Sequence, residues 1–311
     1  MNFIFLSYIN RSGSTFLINQ LSKRALFCVC PEADILYDSL LKYPYLTMPF
    51  TKKNLAAILK DTKFQQWNLS ETKTKGILLA NIPHGEKFLQ ILELFREEYF
   101  PESSYIVFKH NYIFELEPFY RKNTFSASFY WVILERNALD VYASQKNTMS
   151  PQTGKVISEN VLIFCMLYSS WRKQLDKANL SAFFKVNYEE LILQFEPTWI
   201  SLFSYLHLTP GDMNLFQTPG RVLPFMTPEY QKMHPLMDQP PDRNRINNWR
   251  TILSDFEKHM ITRKLAVYID SEIMPDLSKR KFIFLYFSCL TGFFWFRCKF
   301  FIRKLRSVFS A

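Results

Sequence analysis

The segment Asn10-Arg11-Ser12-Gly13-Ser14-Thr15 holds the residue types that bind a phosphate or sulfate group. It follows the apolar run Phe3–Ile9 and precedes an amphipathic stretch with Phe16, Leu17 and Leu21. Gly13 permits a tight backbone path. Successive backbone N–H groups, together with the N-terminus of the helix that follows, make an anion cradle. Ser14 and Thr15 add hydroxyls, Ser12 lies between them and Arg11, and Arg11 adds a planar charged donor. The loop lacks the Lys and the second Gly of a nucleoside-triphosphate loop.

Three further segments carry polar and charged groups. In Leu134-Glu-Arg136-Asn-Ala-Leu-Asp140-Val-Tyr-Ala-Ser144, an apolar run ends and a helix begins near Ala138. Ser144 lies eight residues after Arg136, close to two helical turns on. Asp140 falls in the first turn, where a negative charge suits the helix dipole. Phe184-Lys-Val-Asn-Tyr188-Glu-Glu-Leu191 ends a β-rich run and opens a helix. Arg243-Asn-Arg245-Ile-Asn-Asn-Trp249-Arg250 is a late basic loop entered through Pro240-Pro241.

In this order, the four segments resemble the cofactor-binding motifs of sulfotransferases, the enzymes that use 3′-phosphoadenylyl sulfate (PAPS). The resemblance covers roughly residues 1–270. Arg11-Ser-Gly-Ser-Thr-Phe-Leu is similar to the 5′-phosphosulfate loop in its Arg form, found in carbohydrate, tyrosyl-protein and many bacterial members. The Arg136–Ser144 segment is similar to the 3′-phosphate motif, with Ala138 at a position where the family commonly has Pro. The resemblance places Tyr188 by the adenine. It makes Arg243 and Arg245, with Trp249, part of the loop that closes over the 3′-phosphate.

The implied reaction moves a sulfuryl group from PAPS to an acceptor hydroxyl or amine and releases adenosine 3′,5′-bisphosphate (PAP), with no metal. Arg11 and the loop amides would receive the charge that builds on the leaving bridging oxygen. A hydroxyl acceptor loses a proton, so a general base is needed. Two residues compete for that role. Glu32, after Pro31, matches the region where the Arg-Ser-Gly branch commonly carries its base. His110 resembles the Lys-x-His region of the cytosolic small-molecule branch, although Lys109 and His110 are adjacent here. Lys109 would assist the sulfuryl group, and His84 is a third residue able to face the acceptor. A divergent phosphotransferase and a non-catalytic membrane-bound relative are the competing classes. The first would need a loop Lys, and the second is at odds with the intact Arg11, Ser14, Arg136 and Ser144.

These residues require a scaffold that brings several turns to one edge. The expected strands are Asn2–Ile9, Gly76–Ala80, Ser104–Lys109, Phe129–Leu134 and Ala182–Val186. The expected helices are Ser14–Ala25, Glu86–Glu98, Ala138–Lys146, Asn160–Lys177, Glu189–Leu206 and Ser254–Tyr268. Short β-rich runs alternating with helices predict a P-loop-like three-layer α/β fold, a central parallel sheet flanked by helices. Ligands of such sheets sit at the carboxyl ends of the strands, which singles out the turns after Ile9, Ala80, Lys109 and Leu134.

The chain has 311 residues, and its seven glycines form neither a dinucleotide fingerprint nor a standard ATP loop. Five cysteines without a Cys-x-x-Cys pair argue against structural zinc and against a disulfide framework. The N-terminal apolar run lacks a basic n-region and reads as a buried strand, so a cytoplasmic location is expected. The net charge is +10, but eight of the basic residues lie in the last 33 positions, which contain no acidic residue. The remainder is close to neutral, and a nucleic-acid partner is not expected. Phe282–Phe296 is an uncharged aromatic run bracketed by those basic residues. As a helix it would span about 22 Å, short of the ~30 Å hydrocarbon core. Residues 1–278 are therefore read as the enzyme domain and 279–311 as a tail. The tail either lies on the inner face of an anionic membrane or packs in a dimer. The acceptor wall is expected from 35–75, 148–158 and 212–242, whose Tyr, Phe, Met and Pro suit a carbohydrate, glycolipid or small molecule.

Overall fold

The computed structural model describes residues 1–41, 50–122, 126–150, 153–178, 180–209, 221–226, 228–234, 239–268, 285–287, 289–294 and 296. It contains a five-stranded, all-parallel sheet in the order β2-β3-β1-β4-β5. The strands are β1 (Asn2–Tyr8), β2 (Phe27–Val29), β3 (Tyr105–Lys109), β4 (Ser128–Glu135) and β5 (Phe183–Asn187). The helices through the first two-thirds of the chain are α1 (Ser14–Ser22), α2 (Asp34–Leu36), α3 (Lys52–Lys60), α4 (Thr62–Gln65), α5 (Glu71–Leu79), α6 (His84–Tyr99), α7 (Glu117–Lys122), α8 (Ala138–Lys146), α9 (Val161–Leu175), α10 (Tyr188–Leu193) and α11 (Phe195–Tyr205).

Phe3, Ile4, Phe5 and Leu6 are all at most 2% exposed. A parallel strand covered on both faces needs an unbroken apolar run of this kind. The register with β3 and β4 puts Phe3 and Phe5 on one face with Phe108, Phe129 and Trp131. That face meets Phe88 of α6 and Tyr120 of α7. The opposite face carries Phe27, Tyr105 and Tyr130, which meet Phe203 and Tyr205 of α11. Aromatic layers thus cover both faces of the sheet.

Most expected elements are present, and two differ. Gly76–Ala80 is not a strand but the last turn and end of α5. Ser70 caps that helix, its side chain accepting from the Lys73 amide. A five-residue apolar run fits a strand or a buried helix segment equally well by periodicity. The turn after Ala80 is accordingly not a strand end. The second strand is instead Phe27–Val29, too short to carry a pattern. The segment expected as one helix, Glu189–Leu206, breaks at Gln194 (φ −126°, ψ 54°) into α10 and α11.

The chain forms two compact units. One comprises Met1–Glu135 and Leu175–Asp242, and includes the sheet; the other comprises Arg136–Gln174 and the chain from Arg243 on. The expected boundary at 278/279 lies outside the described residues, as do the basic positions that bracket the aromatic run. Residues 285–287, 289–294 and 296 are helical, with Phe287 and Phe294 more than 60% exposed. Among the described residues no helix is long and apolar enough to cross a membrane.

Candidate active site

In the first unit, β1 is central in the sheet, with β3 and β4 as its neighbours, so the order turns at β1. The carboxyl end of β1 is therefore the switch point at which parallel sheets place ligands. The turn after β1 folds back through a Ser12 N–H to Ile9 carbonyl bond of 3.0 Å. Arg11 (φ 73°) and Gly13 (φ 97°) both take left-handed backbone conformations there. Gly13 caps α1 without any side-chain cap bond, so the amides of the first turn of that helix are not covered by a capping side chain. A Cβ on Gly13 would run into the ring of Tyr188. Tyr188, at the start of α10, thus packs on the turn itself. Ser12 is fully buried with its hydroxyl unpaired, and Ser14 and Thr15 are buried on the first turn of α1.

The turn connects to a cluster of charged groups. Lys109, last residue of β3, is 2% exposed. Its ammonium lies 2.7 Å from Glu32 Oε1 and donates to Thr15 Oγ1 at 3.2 Å and to the Tyr230 hydroxyl at 3.1 Å. Glu32 also accepts from the Tyr8 hydroxyl at 2.7 Å, and its Oε2 lies 3.4 Å from Lys63 Nζ. Lys63 in turn pairs with Asp34 at 2.9 Å. Burial works against the Glu32 charge, but Lys109 and then Lys63 outweigh it and hold its carboxyl well below the usual carboxylate range. Burial likewise opposes the Lys63 ammonium, and Glu32 and Asp34 reverse it. Burial, reinforced by the Glu32 carboxylate, pushes the Tyr8 and Tyr230 phenols up, so both remain protonated donors.

His110 stands in a different role. Its Nδ1 accepts the Tyr112 N–H at 3.2 Å, and its ring stacks on Tyr37 at 3.9 Å. That bond leaves the proton of a neutral imidazole on Nε2, which makes Nε2 a donor. His84 begins α6 and meets the edge of Phe50.

Two residues of this cluster escaped the sequence reading. Tyr230 and His234 come from the helix Pro228–Met233 and the residue after it. Thr15 Oγ1 lies 3.2 Å from the Tyr230 hydroxyl and 3.5 Å from His234 Nε2. Arg11 Nη1 lies 3.4 Å from both the Met233 carbonyl and His234 Nδ1. Burial, then Arg11 and Lys109, pull the His234 imidazole down to about 3, so it is neutral beside the cradle. Their i, i+4 spacing after Pro228, a helix-start residue, was the available signal. Tyr8 and Lys63 were also missed, one as strand filler and the other within the broad stretch 35–75. Pro31, Glu32, Lys63, Gln66, Phe225, Met226 and Tyr230 line a small recess next to the carboxylate.

In the second unit, Arg136 and Ser144 flank the start and the last turn of α8, and Asn137 caps that helix by accepting the Leu139 N–H at 2.9 Å. Arg136 Nη2 donates to the Arg245 carbonyl at 2.8 Å. Arg243–Arg245 form one exposed 3-10 turn. Among the described residues no group of three His, Cys, Asp or Glu side chains is placed to hold a metal ion.

No protein-family model matches the chain, and no curated protein matches it in sequence. Among solved structures it is similar to the sulfotransferase domain of the olefin synthase of Synechococcus PCC 7002. The identity is 16% and the TM-score 0.50, over 87% of this chain and 95% of that one. The sulfotransferase domain of the curacin biosynthetic pathway aligns at 16% identity and a TM-score of 0.45, over 86% and 96% of the two chains. The sulfotransferase STF9 from Mycobacterium avium aligns at 11% and 0.42, over 88% and 78%. The first of these likenesses shows that the chain has the fold of a sulfotransferase domain.

Proposed function

We propose that this chain is a sulfotransferase that moves the sulfuryl group of PAPS to an acceptor hydroxyl or amine. The observation that carries the reading is Lys109, which bridges the anion-binding turn at Thr15 and the carboxylate of Glu32. The turn after β1, with Arg11, Ser12, Gly13, Ser14 and Thr15, takes the 5′-phosphosulfate. Tyr188, packed on Gly13, is the adenine neighbour. Arg136, Ser144, Arg243 and Arg245 take the 3′-phosphate.

The acceptor enters the pocket beside Glu32. Its oxygen forms a new bond to sulfur while the bond from sulfur to the bridging oxygen breaks. Glu32 takes the acceptor proton, and PAP leaves with the added charge on its 5′-phosphate, facing Arg11 and the loop amides. Of the two base candidates, Glu32 has the better geometry, since His110 presents a donor nitrogen. A carboxylate held ionised by two ammonium groups is a weak base in the resting arrangement. It gains basicity when Lys109 turns from Glu32 to the sulfuryl oxygens. The pocket's Phe225, Met226 and Tyr230 suit the apolar face of a sugar or a glycolipid. The aromatic run Phe282–Phe296, with its basic flanks, associates with an anionic membrane surface.

The test is incubation of the purified protein with sulfur-labelled PAPS and cell extract. Label should move to an acceptor, and Glu32→Gln should lower the rate by about 10²–10⁴. An unchanged rate in that variant would remove Glu32 from the mechanism.

A further inference from the structure

In the second unit, one buried carboxylate does more than its position in the sequence requires. An Asp in the first turn of a helix normally faces water and interacts with the helix dipole. Asp140 is in the first turn of α8, yet it is only 2% exposed. Both of its oxygens accept backbone N–H groups from a segment more than a hundred residues later. Asn247 N donates to Oδ2 at 2.9 Å, and Trp249 N donates to Oδ1 at 3.1 Å.

A single carboxylate receives both bonds because Asn247 adopts a left-handed conformation, φ 63°. Asn is among the few residues that tolerate that region, and the bend turns the two amides toward one point. Burying a carboxylate is unfavourable unless hydrogen bonds compensate it, and charge-assisted bonds of this kind are the stronger ones. The helix Trp249–Ile252 also packs on α8, and Trp249 is buried.

The clamped segment is the one that carries Arg243 and Arg245. Arg245 is two residues before Asn247, and its carbonyl accepts from Arg136 at 2.8 Å. Arg136, Asp140 and Ser144 recur at four-residue intervals, the last two within α8. One helix and the residue just before its cap therefore supply an arginine, the carboxylate that fixes the second basic segment, and a hydroxyl.

We propose that Asp140 is a positioning residue that fixes the Arg243–Trp249 segment against Arg136 and so gives the protein its preference for a 3′-phosphorylated adenine nucleotide. It does not touch the ligand. It acts through the backbone of Asn247 and Trp249, and its own charge is absorbed by their N–H groups, so it does not repel a phosphate held by the arginines. This rests on the reading of Arg136, Ser144, Arg243 and Arg245 as the 3′-phosphate site.

The experiment is calorimetric titration of the full chain with PAP and with adenosine 5′-phosphate, which lacks the 3′-phosphate. Wild type should prefer PAP. In Asp140→Asn and Asp140→Ala, PAP affinity should fall about tenfold, with affinity for adenosine 5′-phosphate within twofold of wild type. Variants that keep the wild-type ratio would overturn the proposal, as would a parallel loss of both ligands, which marks a general structural role. A wild type without preference for PAP would overturn the 3′-phosphate reading and this proposal with it. Hydrogen exchange on wild type guards against variants that fail to fold. The Asn247 and Trp249 amides should be protected without ligand, and exchange at the rate of an unstructured chain would overturn the clamp.

Discussion

In the proposed reaction, Glu32 is the residue on which the chemistry turns. Its carboxyl is depressed by Lys109 and Lys63, and Tyr8, Tyr230, Asp34 and His234 also face it or its partners. Lys63 is outside the anion-binding turn, so it tunes the base without holding the donor. Removing its positive charge destabilises the ionised carboxylate, and the Glu32 pKa rises toward its ordinary value. In Lys63→Met the acid limb of kcat/KM against pH should therefore move to higher pH, with PAP affinity unchanged. An acid limb that stays in place would show that another group controls it. The sequence named Glu32 and Lys109 but could not pair them. Their contact depends on β3 lying beside β1 and on the short β2 delivering Pro31 and Glu32 to the same edge.

The unit that makes the turn work is β1, its loop and α1 taken together. Gly13 has a backbone conformation that disfavours side chains, and its missing Cβ is where the Tyr188 ring lies. Gly13→Ala should destabilise the fold by about 1–3 kcal/mol and weaken PAP binding in the same variant. A thermal melt and titration indistinguishable from wild type would show that neither the backbone angle nor the Tyr188 contact matters. At this scale the sequence was most legible where pattern and capping coincide. The run Phe3–Leu6, the Gly-Ser-Thr start of α1 and the apolar run that gives way to a helix near Ala138 all mark elements that are present. It was least legible where a run is short and apolar. Gly76–Ala80 suited either period, and the deciding signal was the Ser70 cap six residues earlier. Phe27–Val29 becomes a strand because of its neighbour in the sheet, which no local pattern encodes. Tyr230 and His234 reached the site from a stretch more than 200 residues after the loop, a distance that only the folded chain closes.

For the whole molecule, the surplus positive charge belongs to the C-terminal stretch, and the folded body is close to neutral. Phe287 and Phe294 in that stretch are both exposed. Vesicles containing anionic lipid should sediment the protein, and neutral vesicles should not. Replacing the eight basic residues of 279–311 by Gln should abolish the difference. Equal sedimentation with both vesicle types would refute an electrostatic contribution. The central claim is that this fold holds PAPS through two sets of arginines, and it is tested most directly by calorimetric titration with PAP and with ATP-Mg. We expect saturable PAP binding at one site. Arg11→Ala and Arg136→Ala should each weaken it by about 1.5–3 kcal/mol, and ATP-Mg should bind more weakly than PAP. Binding of ATP-Mg alone, or PAP affinity untouched by both substitutions, would contradict the assignment.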